Sequence, residues 1–366
     1  MQTFLEVKMI SKNTEYLPRL DHLRFLAAAL VAAYHFGYHA IQPGGHNPLL
    51  MMIKEGYGGV SLFMVLSGFI FTIICLGKEI DYKSFVFNRL LRIYPLYIFF
   101  VFVAIFSGGR RVDFTSFLAL ATFMGNLGGV KLTKFQHIWT IMVEFQFYLI
   151  FPFIVGFFGK KGFFYALGII GIAVLMRLFV FLMDGTVQDA AYWTILGRFD
   201  QFSMGMIIAA IYKKHKSLFS QPIWLLLSCV ALVGWVFTFR KWCGGYFGEG
   251  SPNSTSTAWI IGPTVEAMVY GVVVLAYLHQ KWSFPELVDK SMSYLGTISY
   301  SIYMWHFPIV GIARKFYHIL PFNSFWLNFC LVVFPGIILI SSLSYHIIEK
   351  PFFSLRTVYI RKQPSQ

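Results

Sequence analysis

Apolar runs long enough to cross a bilayer recur along this chain, separated by short polar breaks. They fall at about 24–41, 57–77, 92–107, 138–158, 162–183, 194–212, 222–239, 258–278, 293–313 and 325–347. Each span needs roughly 20 apolar residues, so the pattern predicts an all-α, polytopic membrane protein built as a bundle of about ten transmembrane helices. The stretch 114–129, FTSFLALATFMGNLGG, is apolar but short and broken by glycine, and reads as a re-entrant or buried segment. No internal repeat or low-complexity tract interrupts the series. The ten spans take about 200 of the 366 residues. That leaves no room for a second large domain, so 1–366 is expected to be one integral-membrane unit with polar tails at 1–18 and 353–366. The first 20 residues hold no apolar core of signal-peptide type, so the first span is expected to act as its own insertion signal.

Composition narrows the class further. Hydrophobic residues make up 57% of the chain and charged residues 13%, against roughly 25% charged in a soluble domain. This excludes a cytosolic globular enzyme, a disordered chain and a fibrous one. The net charge of +14 sits in short loops between spans, which speaks against a nucleic-acid partner. Nineteen of the 30 Lys and Arg lie in the tails or in loops on the side of the N-terminus. Nine lie on the opposite side, and Arg177 and Arg198 sit in or at spans. That bias places both termini in the cytoplasm. The four cysteines, Cys75, Cys229, Cys243 and Cys330, show neither paired nor metal-type spacing.

A charged side chain within a span costs about 2.5–3.5 kcal/mol on insertion scales, so ionisable residues that persist there invite a functional reading. They are His35, His39, Glu144, Arg177, Asp200, Glu266 and His306. Arg24 and His35 are eleven positions apart, which returns a helix to nearly the same face about 16 Å further along its axis. A neutral imidazole at that depth suits a general base or an interhelical hydrogen bond. His39, one turn on, completes a His-x-x-x-His pair with no third metal ligand nearby, and no metal is expected. Arg89 and Arg92 share a helix face before the third span. Two guanidiniums there suit a pyrophosphate, or serve as topogenic charge near lipid headgroups. Trp139, Glu144 and Tyr148 lie in HIWTIMVEFQFY, with Glu144 and Tyr148 one turn apart. The carboxylate either orients a histidine or forms a structural ion pair with Arg177 or Arg198. No Gly-x-Ser-x-Gly elbow, no His-x4-Asp and no Gly-Lys-Ser/Thr phosphate loop occurs, which removes support for elbow hydrolases, soluble glycerolipid acyltransferases and ATP-driven pumps.

Six segments, taken in order, resemble the membrane acyltransferase-3 family. They are RLDHLRFLAAALVAAYH (19–35), GGVSLFMVLSGFIF (58–71), FVFNRLLRIYP (85–95), HIWTIMVEFQFY (137–148), YSIYMWHFP (300–308) and IIEKP (347–351). The resemblance implies an inner-membrane O-acyltransferase, a single acyltransferase domain without a fused hydrolase-like module. Such an enzyme moves an acyl group, usually acetyl, from cytosolic acyl-CoA to a hydroxyl of a carbohydrate or lipid-linked glycan. The family's motif positions map onto Arg24, His35, Arg89, Arg92, Trp139 and Glu144, so Arg24, Arg89 and Arg92 are expected as acyl-CoA-binding residues and His35 and Glu144 as catalytic ones, joined by Tyr148 for its place one turn from Glu144. Trp139 and His306 would be substrate-facing or structural. The family often has two adjacent carboxylates where this chain has Glu144 followed by Phe145. No bound cofactor is expected, because CoA is consumed as a substrate, and a homo-oligomer is compatible with such a bundle. The alternative from another class is a transporter or flippase whose buried His and Glu relay protons. Inverted repeats would favour it, and none is visible.

Overall fold

The computed structural model describes residues 16–37, 48–107, 113–127, 135–215, 217, 219–244 and 254–361. Among them the chain is helical, with one isolated β-bridge between Ile80 and Ile360. The helices are α1 (Pro18–Gly37), α2 (Pro48–Lys54), α3 (Gly58–Cys75), α4 (Tyr82–Ser107), α5 (Phe114–Ala121), α6 (Trp139–Lys161) and α7 (Phe163–Asp184). They continue with α8 (Gln188–Trp193), α9 (Ile195–Lys214), α10 (Pro222–Cys243), α11 (Ala258–Leu278), α12 (Glu286–Thr297) and α13 (Ser299–Lys315). A last helical run, Phe325–Leu355, contains α14 (Phe325–Asn328) and α15 (Phe334–Ser344), joined and followed by π-turns.

Each of the ten apolar runs coincides with a helix or helical run. By length and hydropathy, seven are fit to cross a membrane: α3, α4, the helix ending at Lys161, α7, α10, α11 and Phe325–Leu355. The expected ten therefore stands at seven on that criterion. α1, α9 and α13 fall outside it because they are shorter or carry the charged and polar residues of the interior. Burial separates inner helices from outer ones. α3 is mostly enclosed, while α7 and α10 present leucines and phenylalanines such as Leu175, Phe179 and Leu226 outward, as lipid-facing helices do.

One close internal crossing joins α3 to α9. Gly68 lies against the Phe202 carbonyl and Gly205 against the Val65 carbonyl, and a Cβ at either position would overlap backbone. Lipid supplies no hydrophobic force between helices, so close backbone approach through small residues drives such contacts. Gly296 does the same for α12 against the Asp21 backbone of α1.

Of the 114–129 segment, residues 114–127 are described: α5 exposes Phe114 and Leu118 but buries Leu120, and the turn that follows it buries Phe123. There Tyr97 Oη donates to the Leu120 carbonyl at 2.7 Å, and Gln146 Nε2 donates to the Phe123 carbonyl at 2.7 Å. Side chains from α4 and α6 thus tie the end of α5 and its turn to the bundle, adding to the backbone bonds there.

After the last helix the chain folds back across the start of α4. Asn88 exchanges two hydrogen bonds with the Thr357 backbone, at 2.6 and 2.9 Å. The Asp81 amide donates to the Tyr359 carbonyl at 2.8 Å, and Arg361 lies 3.7 Å from the Asp81 carboxylate.

Candidate active site

A cavity opens between α1, α3, α4, α6 and α13. At the end of the bundle that carries the N-terminus of α1, its wall holds Arg24, Arg89 and Arg92; at the other end it holds Thr140 and Tyr303. Glu144, Tyr148 and Ser67 lie between. A second cavity adjoins the basic end and shares Arg24, Phe71, Arg89 and Arg92 with it. The helical spacing of Arg89 and Arg92 operates as expected, although both lie inside α4, which begins at Tyr82 and not at 92. The Arg89 guanidinium sits 4.9 Å from the Phe71 ring centre, and Arg92 donates to the Thr297 carbonyl at 3.2 Å. Arg24 pairs with Asp21, one turn earlier, at 3.2 Å.

Glu144 accepts from Ser67 at 2.7 Å and from the Tyr148 hydroxyl through the same oxygen, Oε1. The structural ion pair with Arg177 or Arg198 does not form. Arg177 is engaged with Asp200 at 2.7 Å, both fully buried. Arg198 donates to Ser61 and Gln201, with its guanidinium 4.3 Å from the Tyr192 ring centre. Glu266 belongs to that second polar cluster, accepting from Ser61 at 2.6 Å. Trp139, at the start of α6, packs on Tyr192 and Trp193 beneath Arg198.

His35 lies past the Thr140–Tyr303 end, in a group of three histidines. Its Nδ1 is 3.0 Å from the Val31 carbonyl and 3.3 Å from His306 Nε2. The His306 Nδ1 contacts the Tyr303 carbonyl, and His137 Nε2 lies 3.1 Å from the Met304 carbonyl. A carbonyl only accepts, so each of these nitrogens carries its ring's proton. The assignment is self-consistent: His306 Nε2 is then a lone pair facing the His35 Nδ1–H. It leaves His35 Nε2 and His137 Nδ1 unprotonated, and the latter is buried without a partner. His137 and His306 rings are 5.3 Å apart, and His35 and His306 rings 4.9 Å. The tie back to the cavity runs through Tyr303, whose hydroxyl donates to the His137 carbonyl at 2.9 Å and accepts from Thr140 at 2.8 Å.

The hydrogen bonds of Glu144 thus lead to Ser67 and Tyr148, while those of His35 lead to Val31 and His306. A direct orienting bond from Glu144 to His35 is not among them. The sequence singles out His137 in HIWTIMVEFQFY without a role, and gives no signal for Tyr303 or for Ser67 in GGVSLFMVLSGFIF beyond the segments that hold them. His39 lies outside the described residues.

The arrangement is thus a cavity with three arginines at one end and three buried or nearly buried histidines past the other, enclosed in a helical bundle with membrane-spanning character. An acyltransferase-domain family profile matches residues 17–345, and the chain belongs to that family. It is similar to the putative peptidoglycan O-acetyltransferase YrhL of Bacillus subtilis (strain 168), with 25% identity over 93% of this chain and 55% of that protein. The O-acetyltransferase OatA of Staphylococcus aureus shares 22% identity over 93% of this chain and 57% of its own length. A putative acetyltransferase, ORF330, of Acidianus two-tailed virus shares 24% identity over 82% of this chain and 86% of its own. The chain therefore spans a little over half the length of the first two. No solved structure matches it.

Proposed function

We propose that the protein transfers an acyl group, acetyl in the first instance, from acyl-CoA to a hydroxyl of a carbohydrate or lipid-linked glycan. One observation carries the reading: a single cavity joins three arginines at its mouth to a wall backed by the histidine group. Planar guanidiniums bind phosphate oxygens in pairs, so Arg24, Arg89 and Arg92 suit the phosphates of CoA. The arm of the donor then runs past Glu144 toward Thr140 and Tyr303. His35, with Nδ1–H committed to Val31 and His306, offers Nε2 as the base. It takes the proton of the acceptor hydroxyl as that oxygen attacks the thioester carbonyl. The tetrahedral intermediate expels the CoA thiolate, and the proton on His35 goes to the sulfur, which restores the starting imidazole. Glu144, Tyr148 and Ser67 hold the donor in line, with Tyr148 or Ser67 able to donate to the developing oxyanion. The name of YrhL, a putative peptidoglycan O-acetyltransferase, supports a glycan acceptor for this chain too.

The test is a thiol-release assay on purified protein with acetyl-CoA, paired with glycan analysis of a deletion strain. The expected result is free CoA released only when acceptor is present, and an acetyl group lost from the glycan. A chain that carries solute without releasing CoA would be a transporter, and the reading would fall.

A further inference from the structure

The basic mouth holds a fourth guanidinium that no span supplies. Arg356 follows the last helical run, in the segment that folds back on α4. Together with Arg24, Arg89 and Arg92 it lines the second cavity, against Thr297 and Tyr359. Its guanidinium stacks 3.5 Å from the Phe353 ring centre, and Arg92 lies over the same ring from 5.5 Å. Two of its nitrogens, Nε and Nη2, are buried without a hydrogen-bond partner, as is Arg89 Nε. Among the described residues the only carboxylate in salt-bridge contact with these four arginines is Asp21, on Arg24. Glu349 lies near and feels the charges of Arg92 and Arg356, but it makes no salt-bridge contact with them: its Oε1 accepts from Ser301 and its Oε2 is buried without a partner. Burial, reinforced by the charges of Arg92 and Arg89, pushes the Arg356 guanidinium down to about 9. A buried cation with unanswered N–H groups carries a desolvation cost that an anion in the cavity removes.

We propose that Arg356 is an anion-binding residue of this mouth, taking a phosphate of a phosphate-bearing ligand alongside Arg89 and Arg92, so that the site is complete only when the segment 356–361 is docked on α4. The docking is specific. Asn88 clamps the Thr357 backbone one residue beyond Arg356, and the Ile80–Ile360 bridge and Arg361–Asp81 pair secure the rest. With acyl-CoA as donor, which rests on the function proposed above, that phosphate belongs to CoA. The same chemistry is offered by an anionic lipid headgroup.

The experiment uses the full chain in neutral detergent and in nanodiscs. CoA, S-acetylpantetheine (which has no phosphate) and phosphatidylglycerol are the probes, and binding is read by calorimetry. Arg356→Ala is expected to weaken CoA by about 10- to 100-fold, the loss of one charge-assisted hydrogen bond. S-acetylpantetheine affinity should stay unchanged, and Arg356→Lys should recover part of the loss. Lys290→Ala, an exposed charge paired with Glu286, controls for long-range attraction and should bind CoA normally. CoA affinity unchanged in Arg356→Ala, or S-acetylpantetheine lost in step with CoA, overturns the proposal. A wild-type protein that ignores CoA yet binds phosphatidylglycerol through Arg356 sinks the donor reading and leaves the anion site standing. Binding of neither probe by the wild type sinks both. Should the variants misfold, CoA protection of wild-type Arg356 from phenylglyoxal, read by mass spectrometry, decides in their place: a protected Arg356 upholds the inference, and an unprotected one overturns it.

Discussion

On the proposed mechanism His35 and the arginine pair act at opposite ends of the donor, and substitution should separate their duties. His35→Ala removes the base while leaving the mouth intact. It is expected to bind acyl-CoA at near wild-type affinity and to transfer nothing. Arg89→Ala or Arg92→Ala should show the reverse, with donor affinity weakened about 10- to 100-fold and turnover retained at saturating donor. Calorimetry beside thiol release reads both, and loss of CoA binding in a folded His35→Ala protein would contradict the arrangement. Glu144→Gln retains size but removes the charge that Ser67 and Tyr148 answer. Turnover should fall by about 100-fold or more, in the range of general acid–base effects, with donor affinity little changed. Full activity in that variant would reduce Glu144 to a packing partner. His35 was readable as a member of the Arg24 face, because eleven residues close three turns of one helix. Its neighbours His137 and His306 were not, since they arrive from two other helices.

At the scale of elements, two contacts hold the walls of the cavity in place. The α3–α9 crossing depends on backbone meeting backbone at Gly68 and Gly205. Gly68→Val should destabilise by about 1–3 kcal/mol or more, as overpacking does, and lower the melting temperature in detergent together with activity. Arg177 and Asp200 tie α7 to α9 in a fully buried pair. Breaking it from one side, with Arg177→Met, leaves a buried carboxylate and should cost about 3–5 kcal/mol; replacing both partners with apolar residues should recover much of that loss. The fold-back of the last segment has its own acid limit. Hydrogen bonds from Ser84, and then Arg361, hold the exposed Asp81 carboxyl below its ordinary value. The contribution of the Arg361–Asp81 pair to that docking is thus present at neutral pH and lost as the pH falls through that lowered value, while the Asn88–Thr357 bonds persist. Hydrogen exchange of the 357–361 amides should rise only under strongly acid conditions.

For the whole molecule, the asymmetry of Lys and Arg predicts a single orientation. Tags at residues 1 and 366 should both report cytoplasm, and reporters inserted within 240–257 should report the opposite side. A cytoplasmic signal from that loop would place the arginine mouth away from the CoA pool and overturn the donor geometry. The bundle divides into two polar interiors. One is the Arg24–Glu144–Tyr303 cavity with its histidines, and the other is the Arg177–Asp200–Arg198–Glu266 cluster around α9. Ionisable residues in lipid must turn inward, so both interiors were foreshadowed by the charges in apolar runs. Which charge joined which interior was not.

The helical membrane class, the positions of the ten apolar runs and the pairing of residues one to three turns apart followed from the chain alone. Lipid leaves helices as the economical way to satisfy backbone groups, and helical periodicity is a local rule. Tertiary structure alone decided the rest. Glu144 met Ser67 because α3 crosses α6 there, and Arg177 found Asp200 because α7 lies on α9. Arg356 reached Arg89 and Arg92 because Asn88 holds the chain 269 residues onward. Those meetings depend on which faces pack, and side-chain shape at close backbone approaches sets that.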